Sequence, residues 1–176
     1  MLVILNFQIR IKMKGKLFNN LLLFSLFGIT LGFFGVLYEG VVYGPKMMDF
    51  SMERMLFWKN FTSVISPLVY YMPWDPLATV ILVILYFMAP KENALQKKRL
   101  QWASIFQVIS LLLTFYILTQ INFKHSFGNL DQYADAIPGK VLLFNILGFV
   151  RIIFAAIAVI TVFRTYVQTQ IDLSLM

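Results

Sequence analysis

Cysteine is absent from this chain, which excludes disulfides, thiolate metal sites and thiol catalysis. Histidine occurs once, as His125, so a multi-histidine metal or haem site built from this chain alone is excluded. No cofactor is expected. Charge is also scarce: 13% of the 176 residues are Asp, Glu, Lys or Arg. No Gly/Ser linker, low-complexity tract or internal repeat divides the chain. The net charge of +7 lacks the clustered basic patch with interleaved aromatics that nucleic acid requires, because the basic residues flank apolar runs instead.

Apolar residues make up the rest. The chain is 60% hydrophobic and 16% aromatic, with a mean hydropathy of +0.77. A soluble domain of this length has too little interior to hide that surface, so the composition predicts an integral membrane protein in contact with the lipid bilayer. Four apolar runs, near 18–43, 61–88, 100–122 and 141–163, are long enough to cross a bilayer. A closed barrel would show short alternating segments, so the expected fold is all-α, a bundle of four transmembrane helices.

Flanking charge sets the expected orientation. Arg10, Lys12, Lys14, Lys16, Lys91, Lys97, Lys98, Arg99 and Arg164 fall on one side. Lys46, Arg54, Lys59, Lys124 and Lys140 fall on the other. The positive-inside rule places both termini in the cytoplasm of a multi-pass protein of the cell inner membrane. The expected organisation is a cytoplasmic basic lead over 1–16, a membrane domain over 17–168 and a cytoplasmic tail over 169–176. Met13 opens a compact basic lead, Met-Lys-Gly-Lys, so 1–12 reads as a gene-start artefact. The first run is too long for a signal peptide and lacks a small-x-small cleavage site. Residues 44–60 and 123–140 read as outer connections, with Ser51 a helix cap.

The second run is irregular. Ser66-Pro-Leu-Val-Tyr-Tyr-Met-Pro-Trp-Asp-Pro76 holds three prolines, so the helix is expected to kink or break near 73–76, with Asp75 capping a new start at Pro76. From Pro76 to Met88 only about 20 Å of helix remains, less than a bilayer core of about 30 Å. Earlier residues must complete the crossing.

Three charges lie inside these runs. On a regular helix Ser25, Gly28, Gly32, Gly35 and Tyr43 fall within about 40° of Glu39. The glycines form a groove that admits another helix, and they turn Glu39 toward the bundle. Arg151 shares a face with Gly148, Ala155 and Ala158, again an inward, close-packed face. An arginine at that depth needs a partner. Glu39 and Asp75 both lie on the order of 10 Å from the outer boundary, and Arg151 can reach outward to the same layer. The expectation is a Glu39–Arg151 pair, with Asp75 as a second carboxylate available for proton transfer. These residues would line a polar pocket in the outer third of the membrane. Tyr38, Tyr43, Asn60, Gln120, Asn122 and Asn145 are candidates to complete it. Ser104, Gln107, Ser110 and Thr114 share a face of the third run and read as interhelical hydrogen-bonding groups. His125, just beyond that run, is either a solvated loop residue or a mobile acid–base group.

These features together resemble a large family of small four-helix bacterial membrane proteins grouped with fungal anthrone oxygenases. Gly35 and its neighbours leading to Gly44-Pro45 resemble the family's small-residue first helix followed by proline. Asn60 with Ser66-Pro67 is similar to its asparagine and Asn-Pro in the second helix, with Ser66 in place of asparagine. Gln120-Ile-Asn122 resembles the segment after the third helix. Asn145 with Val150-Arg151 resembles the opening of the fourth, with Phe144 in place of tryptophan. The resemblance implies a polar pocket near the outer end of the bundle. It also implies a metal- and flavin-free oxygenation of hydrophobic phenolic molecules. A base among Glu39, Asp75 and His125 would form a carbanion that reacts with dioxygen, and Arg151 would stabilise the anion. The alternative is a non-catalytic accessory subunit, docked to a larger membrane complex through Gly28, Gly32 and Gly35. A small carrier component is a third reading.

Overall fold

The computed structural model describes residues 2–48, 51–64, 68–90, 93–121 and 137–174. Among these residues there is no strand. Helix α1 runs Leu2–Tyr38 and passes into a five-residue π-helical segment, Glu39–Tyr43, before the short α2, Gly44–Met47. Helices α3 (Met52–Val64), α4 (Leu68–Tyr71), α5 (Trp74–Met88), α6 (Ala94–Ile117) and α7 (Ile137–Ser174) follow. Helix α1 packs against α5 and α7, and α6 packs against the same two. Three helical stretches, Gly15–Lys46, Ala94–Ile121 and Pro138–Asp172, are long and apolar enough to cross a membrane.

The outside of this assembly is apolar and its inside is partly polar. Phe27, Phe34, Phe87, Leu112 and Phe149 are exposed, whereas Ser25, Thr79, Ser104, Gln107, Ser110 and Thr114 are buried. Helix α6 states the rule most clearly. It buries Ser104, Gln107, Ser110 and Thr114 on one face and presents Trp102, Ile105, Leu112, Phe115 and Tyr116 outward. A water-soluble helix does the reverse, so this pattern suits an apolar surrounding.

Local chemistry explains the helix ends. Ser51 Oγ accepts from the Arg54 N–H at 3.2 Å, the cap expected from sequence. Residues 44–60, read as a connection, are largely helical, as α2 and most of α3. Helix α5 stops at Ala89, whose ψ of 133° is the extended value that a following proline imposes. Helix α6 then starts at Ala94, earlier than expected, because Asn93 Oδ1 caps it by accepting from the Gln96 N–H at 3.0 Å.

The break in the second run lies at Met72–Pro73, between α4 and α5. The expected cap does not form. Pro73 occupies the cap position with helical φ and ψ and no side-chain bond, and Asp75 sits inside the first turn of α5. The Asp75 side chain is drawn into the bundle instead, toward Gln107 of α6. Helix α5 has 15 residues, about 22 Å of rise, so it needs α4 and the preceding chain to match its neighbours in length.

Candidate functional site

The glycines of α1 decide how closely α5 approaches. A Cβ added to Gly28 would lie 2.5 Å from Ala78 Cβ and 3.0 Å from the Trp74 carbonyl oxygen. One added to Gly32 would lie 2.5 Å from the Asp75 carboxyl carbon, and one on Gly35 would enter the Tyr71 ring. Pairs 28/78, 32/75 and 35/71 define an antiparallel register in which hydrogen atoms replace side chains at every crossing. The groove expected from sequence therefore exists, and it is filled by this chain's own α4 and α5.

The C-terminal end of α1 meets α7 in the same manner. Pro45 has no N–H to donate, and its ring would collide with the Val41 carbonyl in a regular helix. The backbone widens instead, and the Gly44 N–H reaches back to the Glu39 carbonyl. Both Glu39 and Tyr43 are buried in this wider turn. A Cβ on Gly40 would lie 2.5 Å from Ile152 Cδ1, and one on Gly44 would overlap Asn145 Oδ1. That approach brings Glu39 to Arg151.

Glu39 Oε2 and Arg151 Nη2 are 2.6 Å apart. The Tyr71 hydroxyl donates to Glu39 Oε1 at 2.5 Å, so both carboxylate oxygens are engaged. Arg151 Nη1 donates to Thr114 Oγ1 at 3.4 Å, and Ser110 Oγ donates to the Arg151 carbonyl at 3.4 Å. One turn farther along α5, Asp75 Oδ1 accepts from Gln107 Nε2 at 2.7 Å. The relative exposures of Glu39, Asp75 and Arg151 are 6%, 3% and 1%, so the cluster is enclosed in this conformation. Two buried atoms have no partner: Arg151 Nε and Gln107 Oε1.

Apolar side chains close the cluster above and below. Leu22, Ile29, Ala78, Leu82, Leu85, Leu100, Ala103 and Val162 pack on the side toward the start of α6. Ile117, Ile121 and Phe144 pack on the side toward its end, backed by Leu143 and Leu147. A sealed, low-dielectric setting strengthens each charge contact and raises the cost of losing one.

Glu39 and Arg151 meet, whereas Asp75 lies opposite Gly32, seven residues or about 10 Å of helical rise before Glu39. The auxiliary set fares less well. Tyr43 is buried next to Glu39, and its ring meets Tyr38 edge to face with centroids 5.5 Å apart. Tyr38 itself is half exposed, because one residue before Glu39 is about 100° away around the helix. Asn145 Nδ2 donates to the Val141 carbonyl at 2.9 Å and to Met48 Sδ at 3.5 Å, so it joins α7 to the turn after α2 rather than to Arg151. Asn60 is exposed on α3, and Gln120 is partly buried in the wider turn at 118–121. Asn122 and His125 lie outside the described residues. Ala155 and Ala158 are buried as expected. Gly148 is buried too, yet among the described residues a Cβ there would meet nothing within 4 Å, so it marks no close approach.

Sequence reasoning passed over Tyr71. Its signal was its position four residues before Asp75, which puts the two on one face of a helix. Gln107, read as a generic interhelical group, is the direct partner of Asp75. Among the described residues no three His, Asp or Glu side chains gather into a metal-binding group. No family model, curated protein or solved structure matches the chain.

Proposed function

We propose that the chain is a multi-pass four-helix protein of the bacterial inner membrane with both termini cytoplasmic. Its enclosed cluster receives the oxygen-bearing head of a small hydrophobic molecule and exchanges a proton with it. The apolar exterior, the three membrane-length helices and the flanking charge support the membrane reading. The observation that carries the site is Asp75. It is a buried carboxyl group held by an amide rather than a cation, four residues from the Tyr71 that serves an ion pair already balanced in itself. A structural ion pair needs one carboxylate; the second is left for chemistry.

The family resemblance gives the reaction its particular form, a metal-free oxygenation. A carboxylate of the cluster removes a proton from an activated CH2 group beside a phenolic ring, and the Arg151 guanidinium stabilises the resulting anion. The carbanion adds to dioxygen, and the hydroperoxide then loses water to leave a carbonyl. Dioxygen is the oxidant and two of the carbon's hydrogens leave in that water. The accessory-subunit alternative loses its docking groove, because Gly28 and Gly32 are covered by α5 and Gly35 by Tyr71 of α4.

Dioxygen uptake on adding an anthrone to membranes containing the protein tests this reading. Uptake above that of empty membranes, lost in Asp75→Asn and Arg151→Met, is the expected result. Equal uptake in wild type and both variants would remove the oxygenase reading. Stable co-purification with larger subunits, and no small molecule bound, would return the accessory one.

A further inference from the structure

The geometry points to a proton-binding site between α5 and α6, in which Asp75 carries a proton and closes a cyclic carboxylic acid–amide pair with Gln107. Half of that pair is observed, as the Gln107 Nε2 to Asp75 Oδ1 bond of 2.7 Å. The other half is marked by the buried Gln107 Oε1, which accepts no hydrogen bond. Buried acceptors are rarely left in that state. When the donated hydrogen is the one on the same side as the amide oxygen, that oxygen turns toward the second carboxyl oxygen. An ionised carboxylate only accepts, so it would set lone pairs against lone pairs there. A proton on Asp75 Oδ2 supplies the missing donor. Turning the amide over does not help an ionised Asp75, since Oε1 would then face Oδ1 with the same conflict.

The surroundings agree with a neutral Asp75. Among the described residues the titratable groups that act on it are Tyr71 from α4 and Arg151 from α7, and both are bound to Glu39 of the π-helical turn. Helix α6 contributes only uncharged Gln107, Ser110 and Thr114. Arg151 is matched by Glu39, and the Tyr71 hydroxyl is committed to Glu39. With the proton in place the cluster holds one cation and one anion. Asp75 must give up this proton before it can take one from a substrate. This inference does not rest on the ligand reading and holds whichever molecule the cluster serves.

Infrared spectroscopy of the full chain in lipid nanodiscs, with aspartate side chains carrying carboxyl 13C, tests it. At neutral pH the wild-type protein is expected to show a protonated-carboxyl C=O band that moves with the aspartate label. The band is also expected to shift in D2O and to vanish in Asp75→Asn. Absence of a label-sensitive band in the wild type, or its survival in Asp75→Asn, overturns the assignment. Should Asp75→Asn fail to fold, Gln107→Leu decides. Removing the amide must shift the band to higher wavenumber, and an unchanged band overturns the pairing. Anthrone-dependent dioxygen uptake can fail without touching any of these readings.

Discussion

Glu39 and Arg151, 112 residues apart in sequence, meet through a 2.6 Å ion pair at the point where α1 widens into its π-helical turn. Three glycine-level approaches surround that contact: Gly35 to Tyr71, Gly40 to Ile152 and Gly44 to Asn145. The pair closes because the backbones on either side of Glu39 come within a hydrogen atom of their neighbours.

Breaking the pair from one side strands a charge. Glu39→Gln is expected to destabilise the bundle by about 3–5 kcal/mol, measured as reversible unfolding in mixed detergent micelles. Adding Arg151→Met should recover part of that loss. A double variant less stable than Glu39→Gln alone would show that the two residues do not offset one another.

Tyr71→Phe removes one charged hydrogen bond and leaves the ring against Gly35. The expected loss is about 1.5–3 kcal/mol, smaller than that of Glu39→Gln. The same unfolding assay reads it. A Tyr71→Phe protein as stable as wild type would mean that the hydroxyl contributes nothing to holding Glu39.

The glycines separate by their neighbours. Gly28→Ala would force a methyl against Ala78 Cβ and the fixed Trp74 carbonyl, and should cost about 1–3 kcal/mol. Gly148→Ala adds a methyl where nothing lies within 4 Å, and should be neutral or stabilising by up to about 1 kcal/mol through helix propensity. A Gly28→Ala protein as stable as wild type in thermal melts would contradict the register of α1 on α5, and a destabilised Gly148→Ala would contradict the open space beside α7.

Orientation is testable because the chain contains no cysteine. A single cysteine at Leu95, in the exposed first turn of α6, should react with a membrane-impermeant maleimide only after the cells are opened. Labelling from outside intact cells would reverse the orientation.

Much of this arrangement was legible in the sequence, for a definable reason. Where a helix is regular, 100° per residue carries a side chain's direction faithfully, so the glycine face, the inward turn of Glu39 and the inward turn of Arg151 could be read directly. Equal depth then brought Glu39 and Arg151 together before any coordinates. The Ser51 cap followed from a short polar side chain next to a helical run. Other features were hidden because a tertiary contact overrode a local preference. Asp75 before Pro76 has the local signature of a cap, but Gln107 offers its carboxyl group a buried partner that water-facing caps lack. The mixed charges of 44–60 suggested a connection, although most of the segment is helical. The widening at Glu39–Tyr43 depends on a missing N–H at Pro45, which periodicity does not register. Asn145 and Tyr38 are polar residues close in sequence to the cluster, and proximity in sequence did not bring them into it.

The long separation of Glu39 from Arg151 also has a consequence in time. At roughly 5–20 residues per second of synthesis, the 112 residues between them take on the order of 6–22 s to make. For that interval α1 already carries its glutamate, while the arginine that neutralises it does not yet exist. A nascent chain cut short before α7 therefore presents an unmatched acid in its first helix.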